Sequence, residues 1–97
     1  MAKIINDVIE GAVWDRIMME HDRSCILHPN YTSDVLRWVA IIAEESGEAV
    51  KAALDLTRPS NLDYTLLRAE LREEVVQTAA MCVKMLMMME REDACSQ

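Results

Sequence analysis

The 97-residue chain has no phenylalanine, two glycines and two prolines. It also lacks any apolar run of about 18 residues, which excludes a transmembrane helix. Scarce Gly and Pro leave few turn positions, so a few long elements are expected rather than many short strands. Its three cysteines are an odd number without a C-x-x-C pair, and neither a disulfide framework nor a zinc site is indicated. Cations are also few: ten Lys and Arg stand against 17 Asp and Glu, a net charge of −7. The ten are scattered, and a nucleic-acid partner is excluded because phosphate-backbone binding needs clustered cations. Asp7 and Glu10 interrupt the N-terminus where a secretory signal would be continuously apolar. Reduced thiols and a cytoplasmic location are therefore expected.

What is present is apolar and helix-favouring. Hydrophobic residues make up 52% of the chain, which excludes disorder. The length allows one domain, residues 1–97. A chain this short buries only about 60–65% of its unfolded surface, so a second chain would help complete a core. The breaks at Pro29 and Pro59 leave three helical pieces. In the first, from about Ile4 to about Asp22, Ile5, Val8, Ile9, Ala12, Val13 and Ile17 follow helical rhythm. The second starts after a Thr32 or Ser33 cap and ends near Leu56. The third runs from a Ser60 or Asn61 start to about Glu92. The fold class is all-α.

Helices two and three carry carboxylates in a stripe. Glu44, Glu48 and Lys51 lie within about 60° of one another on a helix, with Glu45 about 60° from Glu48. On helix three, Glu70, Glu73, Glu74 and Gln77 fall at i, i+3, i+4 and i+7. A charged stripe is ordinarily a solvated face. Here the same face is apolar before the acids (Leu66, Leu67) and after them (Met81, Met85, Met88). From Val75 to Met89 the helix is apolar nearly all round, which predicts burial on every side. Carboxylates in that setting cost several kcal/mol unless a positive charge neutralises them. Arg68, Arg72 and Lys51 cannot offset six glutamates. A divalent cation can, and all-oxygen ligands favour Mg²⁺ or Mn²⁺ over zinc or copper.

Glu44-Glu45-Ser46-Gly47-Glu48 resembles the EExxE element of the MazG-like all-α nucleotide pyrophosphohydrolases. Glu74-Val75-Val76-Gln77 stands where that family has its ExxD element, with Gln77 in place of the last Asp. The resemblance spans residues 32–90 and implies a four-helix-type bundle completed by association into a dimer or tetramer. It further implies Mg²⁺-dependent cleavage of a nucleoside triphosphate to monophosphate and pyrophosphate, a possible house-cleaning of the nucleotide pool. Glu45, Glu48, Glu74 and, more weakly, Gln77 would hold the metal. Glu44 would orient the attacking water or ligate a second ion, with Glu48 as the other catalytic carboxylate, and Lys51 would reach a phosphate. A Gln carbonyl coordinates without charge. Lys51 can equally pair with Glu48.

Trp38 could stack on a base, although a lone tryptophan is more often part of the core. Trp14 is expected in the core or an interface. His28 and Arg23 could together meet phosphates, although a turn histidine is ordinarily solvated. The methionines between Met81 and Met89 are expected at a subunit interface, and Cys82 is expected to be buried and inert. Two rival readings remain: a catalytically silent nucleotide- or metal-binding module, and a helical protein-interaction module.

Overall fold

Two residue–proline steps set where the first two helices stop. Proline crowds the residue before it out of the α region. His28, before Pro29, has φ −133° and ψ 67°, and Arg58, before Pro59, has φ −82° and ψ 145°. The computed structural model describes residues 1–28 and 33–96, so Pro29 and the Thr32 cap lie outside the described residues. Those residues form three helices, α1 (Ala2–Leu27), α2 (Val35–Thr57) and α3 (Tyr64–Cys95), and no strand.

The helix starts differ from expectation for a local reason. Aspartates cap both later helices: Asp34 accepts from the backbone N–H groups of Leu36 and Arg37 at 2.9 and 3.3 Å, and Asp63 from Thr65 at 2.8 Å. Asp caps as well as Ser or Asn, and its charge also favours the positive helix N-terminus. Ser60 instead accepts from the N–H of Leu62 at 2.9 Å, closing the turn after Pro59. Helix α1 continues past Asp22 to Leu27. Along that extension Arg23 grips the Glu20 carboxylate through Nε and Nη2, at 2.9 and 2.7 Å.

Helix α3 is the middle element, with α1 and α2 each packed on it. Trp38, 1% exposed, anchors α2 against α3 and donates its indole N–H to Met88 Sδ at 2.9 Å. Lys84 ties α3 to the end of α1. Its buried ammonium donates to Ser24 Oγ at 3.0 Å and to the His28 carbonyl at 3.5 Å. Burial lowers the pKa of that ammonium, and the nearby Cys25 opposes the shift. A cation at the C-terminal carbonyls of α1 is also favoured by the helix dipole.

The rest of the core is thin. Among the described residues, the buried apolar side chains besides Trp38 are Ala52, Ala80 and Met81. Burial of α3 on every side is not met within one chain, because Val75, Leu86, Met87 and Met89 face outward. Trp14 is half exposed, and Cys82 is half-buried rather than sealed. Met81 and Met88 are used within the chain, leaving the interface expected for the methionine stripe to only part of it.

Since Trp38 is the one large side chain removed completely from water, Trp38→Ala should lower stability by about 3–5 kcal/mol. Trp14→Ala, at a half-exposed position, should cost clearly less. Urea midpoints of the two variants check this; equal losses would mean that Trp38 does not anchor α2.

Candidate functional site

The Trp38–Met88 contact joins the start of α2 to the end of α3, so the two helices run antiparallel and their middles face each other. Glu45 and Glu48 come one turn apart from α2, and Glu74 comes from α3. One carboxylate oxygen from each lies within 4.8 Å of the other two. Oxygens sharing a single Mg²⁺ at about 2.1 Å sit at most about 4.2 Å apart, so a small inward movement would let all three hold one ion.

The three are not equally solvated. Glu48 is exposed, while Glu45 and Glu74 are half-buried. Glu45 Oε2 and Glu74 Oε2 are each sealed from solvent with no hydrogen-bond partner among the described residues. The pKa of Glu45 is raised, first by burial and then by the charges of Glu48, Glu20 and Glu44. That of Glu74 is raised by burial, by a hydrogen bond with Glu48, and by the charges of Glu48, Glu45 and Glu73. With Glu48 and Glu74 both ionised, the two carboxylates repel. No ion pair among the described residues brings Lys51, Arg68 or Arg72 to these carboxylates.

Two small cavities flank the cluster. One of about 210 Å³ is lined by Glu48, Lys51, Ala52, Asp55, Glu70 and Glu74. The other, about 140 Å³, lies between all three helices and includes Glu20, Arg23, His28, Glu45 and Gln77. Lys51 therefore shares a cavity with Glu48 and Glu74, and Gln77 shares one with Glu45. His28 and Arg23 line the same cavity, and His28 is exposed, as a turn histidine ordinarily is. Glu44 is exposed beside Glu45 and acts on it through its charge.

Two expectations need correction, and Glu73 finds its place. The acidic stripe is not withdrawn from water as a whole, since Glu44, Glu48, Glu70 and Glu73 are exposed. Trp38 is enclosed between α2 and α3, which puts its ring out of reach of a base and leaves the core alternative. Glu73 turns away from the cluster and lines a cleft towards α1 with Arg16 and Arg72.

Glu20 was not singled out from the sequence, yet its charge acts on Glu45 and it lines the three-helix cavity. A signal was present. Extending the apolar stripe of α1 from Ile17 by three, four and seven residues lands on Glu20, His21 and Ser24. An acid interrupting an apolar stripe is the same sign that marked Glu74.

Raised carboxylate values have a definite sign. The folded metal-free chain holds protons that the unfolded chain releases above the ordinary value of 4.5. This contribution to stability is full below 4.5 and is lost as pH rises through the raised folded values. Removing one charge relieves it, so Glu74→Gln should raise the neutral-pH melting temperature and flatten its fall with pH. Thermal melts from pH 4.5 to 7.5, without divalent ions, test this; a variant no more stable than wild type at neutral pH would show that repulsion is absent.

Compared with known proteins, the chain matches no family model, no curated protein and no solved structure.

Proposed function

We propose that this chain is a Mg²⁺-dependent nucleoside triphosphate pyrophosphohydrolase of the MazG-like kind, cleaving between the α and β phosphates. The observation that carries the reading is that Glu45 and Glu74, each with one sealed and unpartnered carboxylate oxygen, converge with Glu48 to within 4.8 Å. Buried polar atoms ordinarily have partners, and a buried anion costs several kcal/mol without one. The donor set, all carboxylate oxygen, suits Mg²⁺ or Mn²⁺. Glu45, Glu48 and Glu74 would hold the ion, with the Gln77 carbonyl as an uncharged donor on the Glu45 side. When bound, the ion neutralises phosphate oxygens and makes water a better nucleophile.

The chain's own groups supply the rest. Lys51 Nζ, in the cavity with Glu48 and Glu74, pairs with a phosphate oxygen of the substrate. An exposed Glu44 carboxylate accepts a proton from the attacking water and fixes its direction. The water oxygen bonds to phosphorus as the bridging P–O bond breaks, and pyrophosphate leaves with the bridging electron pair. Repulsion among these carboxylates makes an anionic substrate bind poorly without the cation. In this reading the bundle is completed by self-association, and the role in the cell is removal of unwanted nucleotides.

Gln77 favours a second reading, a silent nucleotide- or metal-binding module, because one charge of the expected ligand set is missing. Pyrophosphate release from a panel of common, modified and deoxy nucleotides with Mg²⁺ separates the two. The enzyme reading predicts turnover on at least one. It also predicts that Glu48→Gln cuts kcat by about 100-fold or more, the scale of losing one preorganised charge-stabilising group. Nucleotide-dependent thermal stabilisation without product would favour the silent module. No turnover and no stabilisation by Mg²⁺ would leave only an interaction module.

A further inference from the structure

The surface of the chain is larger than its mass warrants. A compact protein of 11.1 kDa exposes about 5,700 Å², whereas this chain exposes 7474 Å². The radius of gyration, 16.2 Å, compares with about 12.5 Å for a compact chain of this length. Much of the excess is the outer half of α1, where Ile5, Val8, Ile9 and Val13 are all about half exposed or more. Alongside it run two clefts of about 520 and 540 Å³ between α1 and α3, both bordered by Arg16, Arg72 and Val76.

We propose that a second copy of this chain covers that face, in a two-fold pairing in which each α1 lies antiparallel across the other near Val13. This rests on the self-association part of the reading above and is independent of its metal and nucleotide. Two observations favour a second copy over an unrelated partner. The excess of roughly 1,800 Å² per chain falls within what an obligate homodimer buries. A core with four buried apolar side chains among the described residues is also too thin to leave this face uncovered whenever the chain is folded, and a second copy is the partner always present with it.

Charge gives the orientation. No ion pair among the described residues involves Arg16 or Arg72. The first half of α1 carries Asp7 and Glu10 against Lys3 alone. Antiparallel crossing near Val13 brings the acidic start of each α1 alongside the arginines of the other chain. Ile9 and Val13 then close over one another in the middle, and the pairing is self-complementary as a two-fold interface must be.

Sedimentation equilibrium and far-UV circular dichroism of the full chain test this. Wild type should sediment at twice 11.1 kDa at micromolar concentration, with association weakened by salt. Val13→Glu should raise the dissociation constant at least 100-fold, seen as the single-chain mass or as helicity recovered only at high concentration. Arg72→Glu, which removes no apolar contact, should raise it about tenfold and reduce the salt dependence. Leu36→Glu, on an exposed part of α2, should leave it unchanged. A monomeric wild type would overturn both self-association and this surface. A dimer undisturbed by Val13→Glu, or one broken by Leu36→Glu instead, would overturn the surface alone.

Discussion

Repulsion among Glu45, Glu48 and Glu74 is the constraint on which the middle of this structure turns. Two unit charges about 4 Å apart repel by about 1 kcal/mol in water and about 4 kcal/mol at an effective dielectric of 20. Exposure of Glu48 keeps its share towards the lower figure, and the sealed oxygens of Glu45 and Glu74 raise theirs. The antiparallel register of α2 and α3, fixed by Trp38 against Met88 at one end, sets these acids face to face. Local helical preference does not relieve that repulsion. The packing that anchors the helices is therefore also what concentrates the charge.

Helix α3 links this cluster to the remainder of the fold. Its one side meets α2 through Trp38 and the acids, while the other meets α1 through Lys84, Ser24 and the His28 carbonyl. Glu20 and Arg23, paired on α1, reach the cavity that holds Glu45 and Gln77. All three helices thus border the cluster. The uncovered half of α1 lies on the same helix as Glu20, so whatever settles α1 on α3 also settles the far wall of that cavity.

Much of this was legible in the sequence, for identifiable reasons. Helical periodicity and two X-Pro steps sufficed for three helices, and the acids interrupting apolar faces marked Glu45, Glu48 and Glu74. Without the six glutamates of the two elements, 17 acids fall to 11 against ten bases, so the net charge reports a local feature more than a general surface. What escaped depends on contacts between distant residues. Lys84 read as a polar interruption until Ser24, 60 residues earlier, came within 3.0 Å of it. The two Asp caps were missed because several good capping residues stood side by side, and turn geometry after Pro59 chose among them.

The most direct measurement is calorimetric titration of Mn²⁺ into the protein and into its Glu74→Gln variant. If the cation relieves the repulsion among Glu45, Glu48 and Glu74, wild type binds saturably and Glu74→Gln binds at least about tenfold more weakly. Absence of binding to the wild-type protein would contradict the assignment of these carboxylates to a cation.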